Sequence, residues 1–184
     1  ARSRDPFGGI GAKQQAERGA SKEDEAGLEE RRRVHTAVRR FIKTGIVFLG
    51  LGLVLGVVMI VRRELFGLWP HPYLVSAHVH AVLVGFVMFM ILGVALWLFP
   101  RADKADTRYR PERIDAAYWI LLVSTGGRFL GEVLRAWYTE TWLAWLVALG
   151  GVGQAVGIGL FFATMWTRIR PVGSHIREAK GERF

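Results

Sequence analysis

The sequence contains no cysteine. A disulfide framework, an iron–sulfur cluster, thiolate ligation and a c-type haem attachment site are thereby excluded. Any bound metal must use His, Met, carboxylate or backbone oxygen. Acidic residues are few beside basic ones, 16 Asp and Glu against 25 Lys and Arg, which gives a net charge of +9. None of the usual nucleic-acid-binding motifs accompanies that excess. Most of it flanks long apolar blocks, where cytoplasmic loops of membrane proteins collect Lys and Arg. A nucleic-acid partner is therefore not expected. Apolar residues are plentiful at 51% but segregated from the charged ones along the chain. That segregation marks a membrane protein, because a soluble fold interleaves the two classes.

The expected architecture is all-α: an integral membrane four-helix bundle with both termini cytoplasmic. Spans are expected at about 42–61, 74–99, 115–138 and 142–166, each near or above the ~20 residues that cross ~30 Å of hydrocarbon. Residues 1–40 read as a cytoplasmic arm, disordered to about residue 20 and amphipathic from Ser21. Its arginines suit anionic headgroups. Residues 41–167 form the transmembrane domain and 168–184 a basic cytoplasmic tail. The polar start carries no expected cleavable signal peptide, and Arg39-Arg40-Phe41-Ile42-Lys43 is read as a positive-inside flank rather than an export signal. The loop 101–114 is basic and the turn around Glu140 holds no Lys or Arg, which sets the N-in/C-in orientation. The bilayer expected is the cytoplasmic membrane of a prokaryote. Glycine pairs four apart, among them Gly52 with Gly56 and Gly127 with Gly131, suit close helix approach.

Ionisable side chains inside lipid are costly and point to function. The second span carries His78 and His80, with His71 just before it; the third carries Arg128, Glu132 and Arg135. Counted at ~1.5 Å per residue from the outer boundary, both histidines, Glu132 and Arg135 fall in one layer about 5–10 Å deep. Two residues along a helix is a turn of about 200°, so His78 and His80 should face nearly opposite ways. Gly85 stands seven residues after His78, nearly on its face, and a glycine there leaves room for a flat macrocycle. Plainer uses remain open: an intramembrane His that only hydrogen-bonds another helix, or Arg128 and Glu132 simply paired at i,i+4.

The segment 71–101, HPYLVSAHVHAVLVGFVMFMILGVALWLFPR, resembles the second helix of subunit I of the haem–copper oxidases. The likeness is greatest to the cbb-type oxidases and nitric oxide reductases, and to short four-helix proteins described as subunit-I-like. The resemblance implies that His78 is an axial ligand of a low-spin haem b, followed by the Gly-aromatic pair Gly85-Phe86. Burying the propionates of such a haem would require cations, which Arg128 and Arg135 on the adjacent helix would supply, with Glu132 orienting one of them or relaying protons. The first, third and fourth spans hold no His, so one copy cannot build a haem–copper binuclear centre. Electron transfer or sensing of O2 or NO is expected instead of dioxygen reduction. A second axial ligand would come from His80 or from a second chain, in a homodimer or a trimer.

Two further readings stand beside this one. His71, His78 and His80, with Met88 and Met90 deeper on the same helix, are candidate copper ligands if Pro72 lets His71 turn toward the others. Alternatively the chain is a cofactor-free subunit of a larger respiratory or photosynthetic complex, its N-terminal arm meeting a partner. A quinone near the outer polar layer is compatible with the haem and the accessory readings.

Overall fold

The computed structural model describes residues 8–99 and 110–169. Four helices account for nearly all of them. Helix α1 is Gly8–Phe66, α2 is Pro72–Leu98, α3 is Pro111–Arg135 and α4 is Thr141–Met165, closed by a 3-10 turn at Trp166–Arg168. Three are long and apolar enough to cross a membrane: Val34–Phe66 within α1, Pro72–Leu98 and Thr141–Met165. Helix α3 is as long as α4, but its interior charges set its composition apart from those three.

The sequence explains these boundaries. No proline interrupts residues 8–66, and the polar half of that stretch is built of Ala, Gln, Glu, Lys and Arg, which are strong helix formers. Helix α1 therefore begins at Gly8, within the stretch expected to be disordered, and runs for 59 residues, about 90 Å at 1.5 Å per residue. Residues 1–7 and most of the basic tail lie outside the described residues. Gly67 ends α1 at φ +64°, its amide donating to the Arg63 carbonyl at 3.1 Å, a left-handed cap that glycine adopts without Cβ strain. Pro72 and Pro111 sit in the first turns of α2 and α3, where a missing N–H costs nothing.

Helix α1 packs on α2, α2 on α3 and α3 on α4, with the α3–α4 contact the most extensive. Two surfaces hold this order. Near one end, Phe41 of α1 touches the rings of Phe89, Tyr118 and Phe161, one from each other helix, at 5.1–5.8 Å between centroids. Tyr118 also hydrogen-bonds Thr44 at 2.9 Å, and the Arg168 guanidinium donates to the Phe99 carbonyl at 3.0 Å. Along the second surface, Phe48, Gly52 and Gly56 form an i, i+4, i+8 ridge on α1. A Cβ at Gly52 would lie 2.7 Å from Val82, and one at Gly56 would lie 2.9 Å from the His78 ring. The two backbones meet because those side chains are missing.

The middle of α2, Ala81–Met88, is wound as a π-helix. Such segments are rare and concentrate at functional sites. This one starts directly after His80. Much of the apolar surface of α1, including Ile46, Leu53, Val54 and Val57, is exposed among the described residues. In water such a face would aggregate; in lipid it is solvated.

Candidate functional site

The two histidines of α2 diverge. His78 turns to α1, where its Nδ1 lies 2.8 Å from the Gly52 carbonyl oxygen and its ring rests on Gly56. A carbonyl only accepts, so Nδ1 carries the proton, and Nε2 keeps its lone pair. No hydrogen bond to Nε2 occurs among the described residues. An imidazole fixed in this way is the usual form of a metal-binding histidine. The ring lines a groove at the α1–α2 junction whose other walls are Gly56, Met59, Ile60, Arg63, Pro70 and Val75.

His80 turns to α3. Its Nδ1 lies 2.8 Å from the carbonyl oxygen of Ser76, 3.2 Å from the Ser76 hydroxyl and 3.3 Å from Glu132 Oε2. Glu132 is only 2% exposed. Its Oε1 accepts from the Ser76 hydroxyl at 2.8 Å and from Arg128 Nε at 3.0 Å. Arg128 also donates to Gln154 Oε1 at 3.1 Å, and Gln154 in turn donates to Thr125 at 3.2 Å. The result is one buried polar chain across three helices, from His80 and Ser76 on α2 through Glu132, Arg128 and Thr125 on α3 to Gln154 on α4. Helix α4 comes close to α3 here because Gly150 has no side chain: a Cβ there would lie 2.8 Å from Arg128 Cβ. One atom of the chain is left over. Glu132 Oε2 is buried and makes no hydrogen bond among the described residues.

No protein-family model, curated protein or solved structure matches the chain.

Several sequence-derived roles change with this geometry. Gly85 does lie on the same face of α2 as His78, but at its level α1 covers that face. A Cβ on Gly85 would lie 2.5 Å from Phe48, so the space beside this glycine holds a phenyl ring of its own chain. Arg128 pairs with Glu132 at i,i+4, its Nε 3.0 Å from Oε1, as the plainer reading of that spacing expected. Arg135 stacks over the Tyr73 ring, Cζ to centroid 4.6 Å. His71 caps α2 in an extended conformation, its Nδ1 accepting the Tyr73 amide at 3.3 Å, and Pro72 starts the helix. His71, His78 and His80 therefore do not converge, and no group of three His, Asp or Glu side chains suited to a metal ion occurs among the described residues.

Ser76, Thr125 and Gln154 were missed by the sequence reading. Gln154 had a signal, as an amide inside an apolar span. Ser76 had a weaker one, four residues before His80. The Gly52 carbonyl had none, since a backbone acceptor leaves no trace in residue type.

Proposed function

We propose that the protein is a b-type haem-binding protein of a prokaryotic cytoplasmic membrane, crossing it four times with both termini inside, and that His78 is the axial ligand. One observation carries this reading: the Gly52 carbonyl holds the His78 Nδ1 proton and leaves Nε2 free at a groove. The donor chemistry of that groove suits a haem edge, with one imidazole nitrogen, apolar walls from Met59, Ile60, Pro70 and Val75, and Arg63 at the rim. Arg63 stands at the rim, exposed and paired with Glu64 at 2.6 Å, and would meet a propionate by exchanging that surface pair. When bound, a haem supplies one-electron transfer, or diatomic gas binding if its sixth position stays open.

The groove is one-sided, so the second face of the haem would be covered by a second copy of the chain or by another subunit. Two copies contributing His78 would give a bis-imidazole haem suited to electron transfer, which is the favoured form of the proposal. The contacts of His80 with Ser76 and Glu132 on the α3 side weigh against it as a second ligand to the same iron. The scattered histidines weigh against a copper site.

The test is a reduced-minus-oxidised spectrum with a pyridine haemochrome assay on wild type, His78→Ala and His80→Ala. A b-type α-band present in wild type and His80→Ala but lost in His78→Ala is the expected pattern. Folded wild type without haem would overturn the proposal and favour a cofactor-free subunit, whereas a band that survives His78→Ala would keep the haem and overturn His78 as its ligand. Carbon monoxide that shifts the reduced spectrum would mark an open sixth position, hence a gas sensor.

A further inference from the structure

A second concavity lies where α1 ends and α2 begins, and its chemistry differs from that of the His78 groove. Arg62, Trp69, Pro70, His71, Leu74 and Trp137 are among its walls. Its polar side chains are donors. Arg62 makes no ion pair and no side-chain hydrogen bond among the described residues, whereas its neighbour Arg63 is satisfied by Glu64 at 2.6–2.7 Å. His71 accepts the Tyr73 amide on Nδ1, so its neutral ring carries the proton on Nε2 as a donor. No carboxylate lines the pocket. Trp69 lies in the short loop between α1 and α2 and Trp137 just past the end of α3, positions where tryptophan suits a lipid–water boundary.

An uncompensated guanidinium beside a neutral donor, within apolar and aromatic walls, selects an anion attached to something apolar. We propose that this pocket binds the phosphate group of an anionic phospholipid. Arg62 supplies the charge and His71 a hydrogen bond. The acyl chains lie along the exposed face of α1 that Val54, Val58 and Val61 form below the pocket. Arg62 is exposed at the pocket, and an anionic headgroup gains from its charge where a neutral quinone does not. The inference does not rest on haem binding.

Native mass spectrometry of the full chain, taken from micelles containing equal phosphatidylglycerol and phosphatidylcholine, tests it. Wild type should retain phosphatidylglycerol selectively. Arg62→Gln should lower that retention about fivefold, the equivalent of the ~1 kcal/mol that one basic residue gains near an anionic lipid surface. Arg63→Gln should change it less than about twofold, because Arg63 already has a partner. Lipid held by the basic N-terminal flank is common to all variants and cancels in the comparison. Helicity by circular dichroism confirms that Arg62→Gln is folded, and His78→Ala should leave lipid retention unchanged whatever it does to haem. Equal retention of both lipids, or unaltered retention in Arg62→Gln, would overturn the proposal. Displacement of the lipid by millimolar inorganic phosphate would also overturn it, by assigning the pocket to a free anion.

Discussion

Glu132 shows most clearly how one residue organises the interior. A carboxylate at 2% exposure is tolerable only because Arg128 neutralises it and Ser76 donates to it. Removing one member of such a pair costs more than removing both, since the survivor is left as an uncompensated charge. Glu132→Ala should therefore destabilise the fold by about 3–5 kcal/mol. The double variant Arg128→Met, Glu132→Leu should recover most of that loss. Glu132→Gln should fall between, keeping an acceptor for Ser76 while leaving Arg128 without its counter-charge. Reversible unfolding in mixed detergents, followed by tryptophan fluorescence, would rank the three; a double variant no better than Glu132→Ala would show that the network does not act as a pair. The orphaned Oε2 faces His80 Nδ1 at 3.3 Å, so shortening His80 to Ala should cost little beyond its own packing.

At the scale of helices, the α1–α2 contact carries the candidate haem ligand, and glycine sets its closeness. Gly85→Ala drives a methyl into Phe48 and should cost about 1–3 kcal/mol, as overpacking of a tight contact does. Gly126→Ala is the control. A Cβ there meets nothing within 4 Å, so the substitution should be neutral or gain up to about 1 kcal/mol of helix propensity. Thermal or detergent unfolding of both variants checks the contrast, and equal effects would show that Gly85 is not a contact glycine. This interface also shows what was legible beforehand. Hydropathy placed the second and fourth helices within two residues but made the first span shorter than Val34–Phe66, because lipid imposes a minimum length and no maximum on a helix that continues beyond it. The opposite facing of His78 and His80 followed from helical periodicity alone. The use of Gly85 did not, because a missing side chain creates space without saying whether a cofactor or another helix fills it. The π winding after His80 and the Gly52 carbonyl were equally hidden, since both arise from backbone packing. The helical start at Gly8 was missed for a different reason: low apolarity argued for disorder, while Ala, Glu, Gln, Lys and Arg also favour helix wherever one can propagate from an anchored neighbour.

For the whole molecule, the decisive question is whether α3 crosses the bilayer with its charges inside. By composition it stands apart from the three apolar helices, yet its Arg128 and Glu132 answer one another and Gln154 shares the load, which lowers the cost of placing them in lipid. Four crossings with N-in/C-in topology put residues 25 and 112 on the cytoplasmic side and 140 outside. Three crossings, with α3 lying at the surface, would put 112 and 140 on the same side. The absence of cysteine makes the experiment direct, because any introduced thiol is the only one in the chain. Glu25→Cys, Glu112→Cys and Glu140→Cys place a thiol on exposed positions at each end of the relevant helices. A membrane-impermeant maleimide applied to intact cells should label only Glu140→Cys, and the other two should react after permeabilisation. Labelling of positions 112 and 140 from the same side would move α3 out of the membrane. Its buried ion pair would then owe its low dielectric to packing against α2 and α4 alone, and His80 would lie at a protein–protein surface instead of within the hydrocarbon.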